Sequence, residues 1–302
     1  MRLNGPAALA ALLLAAPLPA AADDACTALA QRWTAQRATL TGIETYALFL
    51  RGADNGCADL LDGMLAAGVP PEAQDRFGNT ALIHAARSGQ TALVGTLLDR
   101  GAAIDHRNAA GATALFAAAE HDRTAAALLL LARGANADTA GPSAATPLAA
   151  AAFNGNDALG EALLAHHADP TAADRTGKPP IVYAAARAAA PLVLRLLATG
   201  IDVNARYAND LTVLMWAAGH ADGAAEGDGV ALVQALLDRG ARVDDADDRG
   251  RTALMIAAER DHAAIVRLLL AHGADPAHRD HAGKTAADLA ASGAVRTALA
   301  HG

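Results

Sequence analysis

Between Gly89 and Gly101, the apolar residues Leu93, Val94, Leu97 and Leu98 fall on one face of a helix. The stretch before it, Thr80 to Arg87, is rich in Ala and predicts a shorter helix, broken at Ser88-Gly89. A polar turn, Asp75-Arg76-Phe77-Gly78, opens the unit, and Gly101 stands where a left-handed glycine ends a helix. Residues 75–107 therefore predict a turn and two helices. The same order of apolar and polar positions recurs along most of the chain.

Two markers fix the period. The residue opening the first helix is Thr80, Thr113, Thr146, Pro179, Thr212, Thr252 and Thr285, with gaps of 33, 33, 33, 33, 40 and 33. The helix-ending residue is Gly68, Gly101, Gly134, His167, Gly200, Gly240 and Gly273, with the same gaps. The first marker opens Thr80-Ala-Leu-Ile-His-Ala-Ala86, Thr113-Ala-Leu-Phe-Ala-Ala-Ala119 and Thr146-Pro-Leu-Ala-Ala-Ala-Ala152. It continues in Pro179-Pro-Ile-Val-Tyr-Ala-Ala185, Thr212-Val-Leu-Met-Trp-Ala-Ala218 and Thr252-Ala-Leu-Met-Ile-Ala-Ala258. A period of 33 built from a turn and two helices resembles the ankyrin repeat, over roughly residues 42 to 302. The family's T-P-L-H-x-A-A is followed except at its His, where Ile83, Phe116, Ala149, Val182, Met215 and Met255 stand. The resemblance implies an all-α solenoid of helix-turn-helix units with short β-hairpin tips. It also implies a concave face of tips and first helices that binds other proteins.

Residues 1–22 read as a secretory signal peptide: Arg2, an apolar run from Ala7 to Leu18 too short to span a membrane, then Ala20-Ala21-Ala22. Residues 23–41 are expected to form a cover helix, one helix from Asp23 to Leu40 with Leu29, Trp33 and Leu40 on its apolar side. Residues 42–74 form a degenerate capping repeat, and 75–279 hold six repeats: 75–107, 108–140, 141–173, 174–206, 207–246 and 247–279. Residues 280–302 are a shortened C-terminal cap. Second helices are expected to bury Leu128 to Leu131, Leu163, Leu196 and Leu236. The seven extra residues of repeat 207–246 lie in Gly219 to Gly229, read as a solvated loop.

Composition sharpens this. Aromatic residues are only 3% of 302, which fits thin helices packed through small side chains rather than a deep enzyme pocket. The net charge of −8 argues against a general nucleic-acid binder. Only Lys178 and Lys284 are Lys among 24 basic residues, an Arg bias that suggests a GC-rich genome. With the signal peptide, it suggests export to the periplasm of a Gram-negative bacterium. Cys26 and Cys57, the two cysteines, are expected to form a disulfide there, against the competing reading of two buried thiols.

No phosphate loop, nucleophile elbow or zinc-protease signature occurs, so no enzyme and no cofactor are expected. Asp244-Asp245 and Asp247-Asp248 read as a solvated turn. Tyr183, Trp216 and His84 read as seam residues between helices. What remains is a surface, expected to bind a protein partner as a monomer, with no membrane insertion. Its tip positions include Arg76, Phe77, Asn79, Arg175, Lys178, Asn209, Arg249 and Arg251. Its helix-end positions include Arg87, Glu120, His121, Phe153, Asn154, Arg187 and Arg260. Phe77 and Phe153 as exposed aromatics among arginines are what interface centres use. The alternative reading is a small-molecule or metal-binding protein using His272, His278 and His281 in the C-terminal hairpin.

Overall fold

The computed structural model describes residues 20–220 and 226–301. Residues 1–19 of the expected signal peptide and 221–225 of the expected loop lie outside the described residues. The described residues form helices and no sheet. After α1 (Ala20–Gln36) they come in pairs: α2 (Gly42–Asn55) with α3 (Ala58–Ala66), α4 (Ala81–Ser88) with α5 (Thr91–Asp99), and α6 (Ala114–Glu120) with α7 (Thr124–Ala132). Next come α8 (Pro147–Asn154) with α9 (Asp157–Ala165), α10 (Pro180–Ala186) with α11 (Ala190–Leu197), and α12 (Val213–Ala218) with α13 (Glu226–Leu237). The last pairs are α14 (Ala253–Glu259) with α15 (Ala263–Ala271) and α16 (Ala286–Leu289) with α17 (Gly293–His301). First helices touch first helices, second touch second, and each pair closes on itself. That is a solenoid whose repeats meet only their neighbours.

Local chemistry sets the pairs. Thr80, Thr113, Thr146, Thr212 and Thr252 are buried, and each side chain accepts the N–H three residues on. Pro179 fills the same position without that bond. At the far end Thr285 and Asp288 cap each other, which explains a carboxylate where inner repeats hold an apolar residue. All seven helix-ending markers adopt positive φ, including His167 at 65°.

The core lies between the two helix rows. Leu97, Leu130, Leu163, Leu196, Leu236 and Leu269 are fully buried, one from each inner repeat. Each such side chain contributes about 1.5–3 kcal/mol by leaving water. The Ala pairs of the first helices, from Ala85-Ala86 to Ala257-Ala258, are also fully buried and let neighbouring backbones approach. Gly160 does the same between α9 and α11, since a Cβ there would lie 2.7 Å from Leu192 Cδ1.

Three expectations need correction. The first helix ends at Gln36 rather than Leu40. Leu128 is 41% exposed and Leu129 half-buried, because four successive leucines cannot all face the core side of α7. The stretch read as a loop up to Gly229 is helical from Glu226. Over the N-terminal end, α1 packs on α2 and α3. Cys26 and Cys57 are paired there, with Cα atoms 5.3 Å apart, pinning α1 to the start of α3. No helix among the described residues is long and apolar enough to cross a membrane.

Candidate protein-interaction face

The tips project from the first helices and line up along one edge of the stack. Five open on Asp or Asn: Asp75, Asn108, Asp174, Asp247 and Asp280. In each, Oδ1 accepts the backbone N–H groups two and four residues on. Backbone bonds join neighbouring tips, from Ala109 N–H to Phe77 O, Arg175 to Ser143, Asp248 to Asn209 and His281 to Arg249. In the inner repeats the fifth residue of the Thr-x-Leu motif faces this edge. These residues are His84, Ala117, Ala150, Tyr183, Trp216 and Ile256.

Two of these residues tie helix to tip. His84 spans Asp54 at 2.9 Å and Asp75 at 3.3 Å, and Arg87 reaches Asp54 at 3.1 Å. Burial alone would raise Asp54, but the bonds from His84 and Arg87 outweigh it and hold the carboxyl below its ordinary 3.8. Three repeats later, the Tyr183 hydroxyl donates to Asp174. Burial, and then that bond, push the Tyr183 hydroxyl up to about 12, so it remains a donor.

Small residues leave hollows along this edge. The central one has a volume near 390 Å³ and a floor of Ala145, Ala149 and Ala150 between Phe153 and Tyr183. The two rings meet edge to face, centroids 6.0 Å apart. Arg187 lies over Phe153 at 5.5 Å, and Lys178 over Trp216 at 5.4 Å. At the N-terminal end, Ile43 and Phe77 flank a second hollow, and Arg76 lies 4.6 Å from the Phe77 ring centroid.

This repeat architecture meets a family model directly: the model described as Ankyrin repeats (3 copies) matches residues 49–141 and 222–300. The chain belongs to the ankyrin repeat family. No curated protein matches it. Ankyrin repeats are generally protein–protein interaction modules.

The ankyrin stack exposes some of the expected contact residues and uses others internally. Phe77 and Phe153 are 54% and 57% exposed. Arg76, Arg175, Arg187, Asn209, Arg249, Arg260, Glu120 and His121 are exposed too. Asn79 is buried instead: it donates to Asp75 and accepts from Asn108, so it braces two tips. Asn154 donates to the Ala119 and Glu120 carbonyls and braces α8 on α6. Arg251 is only 17% exposed, paired with Asp247 and Glu259. Asp247, expected in a solvated turn, has a fully buried side chain.

Tyr183 and Trp216, expected in the seam, are half-buried and open toward the face. A signal was available. In all six inner repeats the sixth and seventh motif positions are Ala, whereas the fifth varies as His, Ala, Ala, Tyr, Trp and Ile. Varied size beside fixed Ala marks the less enclosed position, half-buried at Ala150, Tyr183 and Trp216 though buried at His84, Ala117 and Ile256.

The C-terminal histidines do not converge. His278 Nε2 meets the Gly250 carbonyl at 2.9 Å, and His272 Nδ1 meets the Leu268 carbonyl at 2.9 Å. His106 repeats the first contact with Gly78, which marks it as a strut of the fold. Among the described residues no group of three His, Cys, Asp or Glu side chains is arranged to hold a metal ion.

Proposed function

We propose that this protein is a non-catalytic adaptor or inhibitor that binds a periplasmic protein, as a monomer, through its tip and first-helix face. One observation carries the reading. The three cation–ring contacts of the described residues, Arg76 with Phe77, Lys178 with Trp216 and Arg187 with Phe153, all fall on that face. Rigid aromatics beside Arg give contact area at low entropy cost, which is what interface centres use. The acidic chain carries no matching feature for nucleic acid. The apolar segment at residues 1–22 and the pairing of Cys26 with Cys57 support export.

The test compares two charge reversals in partner capture from periplasmic extract. Arg175→Glu with Arg187→Glu is expected to abolish capture. Arg133→Glu with Arg239→Glu, at second-helix ends, is expected to leave it unchanged. Equal loss from both pairs would indicate nonspecific attraction, and no loss from the first would remove this face from the function.

A further inference from the structure

The distribution of charge on the face says what kind of partner segment fits it. This inference rests on the interaction-face reading above. Toward the two ends of the face carboxylates match Arg87, paired with Asp54, and Arg251, paired with Asp247 and Glu259, though Arg76 lies over Phe77 without one. At the centre none of three neighbouring cations is matched. Arg187 lies over Phe153 and gives its Nε–H to the Phe153 carbonyl, and Lys178 lies over Trp216. Arg175, in the same tip as Lys178, is exposed. No carboxylate of the described residues forms an ion pair with any of the three. Asp174 stands nearby, but Tyr183, Thr176 and the Lys178 N–H take up its oxygens. The result is three cations without a carboxylate partner, Arg175 and Arg187 exposed and Lys178 half-buried, on a chain whose net charge is −8.

The central hollow lies against this cluster. Three alanines and the Phe116, Phe153 and Tyr183 rings line it, with Ser143, Asp174 and Thr176 at the tips, so its open centre suits an apolar side chain. Glu120 lines the hollow on the α6 side, away from the cations. The hollow therefore has an apolar centre and two carboxylates in its lining, Glu120 free of any tip and Asp174 bound up in its own, with Arg187 bordering it across the Phe153 ring.

We propose that the hollow takes one large apolar side chain of an extended acidic segment of the partner. Carboxylates following that side chain pair with Arg187, Lys178 and Arg175. Glu120 disfavours acidic residues on the other side, which fixes the direction of the segment. Arginine held over a ring has lost much of its freedom before binding, so pairing with a carboxylate orders little more.

Three fluorescein-labelled synthetic peptides test this by anisotropy on the full mature protein. One has a central Phe followed by Glu and Asp, one replaces Phe with Ser, and one replaces the acidic residues with Lys. The acidic Phe peptide is expected to bind, and the Ser and Lys peptides to bind at least about tenfold more weakly. Ala150→Phe fills the hollow from a half-buried position, and Arg187→Glu reverses the nearest cation; each is expected to weaken the acidic peptide at least about tenfold. Arg133→Glu should change it less than about twofold. Arg187→Glu should in turn prefer the Lys peptide, a reversal that simple misfolding would not produce. Circular dichroism melts confirm that each variant is folded.

Equal or tighter binding of the Lys peptide, or unchanged affinity in both Ala150→Phe and Arg187→Glu, would overturn the proposal. If no peptide binds while partner capture still depends on Arg175 and Arg187, the acidic segment is overturned and the interaction module stands. If capture is also indifferent to those residues, both readings fall.

Discussion

Compare the tip at Asp174–Lys178 with the tip one repeat earlier, Gly141–Ala145. In the first, the Asp174 side chain organises the turn and Gly177 supplies positive φ of 76°. In the second there is no carboxylate, and Ser143 and Ala144 themselves take φ of 56° and 60°. Both end in the same backbone bond, the first residue donating to the carbonyl four residues on, at 3.1 Å and 2.9 Å. The Tyr207–Leu211 tip follows the second pattern, with Asn209 and Asp210 at φ of 62° and 60°. The reason at Gly141 lies in the repeat before it. A Cβ there would meet the Phe116 ring at 2.7 Å, so a bulky residue in α6 excludes Asp from the next tip. Both irregular tips lie mainly within residues 142–221, the stretch between the two family matches. The stack runs through that stretch unbroken, because helix packing rather than tip chemistry holds it.

The sharpest challenge to this view is the core beneath each tip. Leu163 lies under the irregular tip and Leu196 under the regular one, both fully buried. Each Leu→Ala change is expected to cost about 2–5 kcal/mol in urea unfolding. A loss below about 0.5 kcal/mol at Leu163 alone would mean that the irregular repeat is not packed like its neighbour.

Next in size is Asp247→Ala in a regular tip. It strips two backbone N–H groups and the Arg251 charge of their partner, and is expected to cost about 3 kcal/mol. A loss below about 1 kcal/mol would show that regular tips, like the irregular ones, are held by backbone alone.

Installing the missing carboxylate probes the cause. Gly141→Asp is expected to destabilise by about 1–3 kcal/mol against the Phe116 ring. Combining it with Phe116→Ala should recover part of that cost beyond additivity in a double-mutant cycle. Strict additivity would rule out Phe116 as the reason.

The smallest effect concerns backbone strain. Ala144→Gly is expected to stabilise by about 0.5 kcal/mol, since Gly accepts φ of 60° freely. Gly177→Ala, in open space at φ of 76°, should lose about 1 kcal/mol. Thermal melts that gave both changes the same sign would break the distinction between the two tips.

Most of the architecture was legible because its signals are local. Thr caps bond three residues on, left-handed glycines end helices, and Leu recurs every turn or so within one helix. All of these act inside a single repeat, and the period of 33 copied them along the chain. The interaction face was legible only in part. Phe77 and Phe153 stood out by type, but Asn79 and Asn154 looked equally exposed, and Tyr183 and Trp216 looked buried.

The chain by itself therefore determined the repeat, its caps, its core and the edge on which the tips lie. Tertiary structure decided which side chains on that edge remain free. Asn79 is taken by Asn108 and Asn154 by Ala119, while Arg187 is left over the Phe153 ring. The physical reason is distance along the chain. A residue's burial against its own helix is written within a few positions of it. Its burial by the next repeat depends on a side chain about one repeat away, whose size and reach no local pattern records.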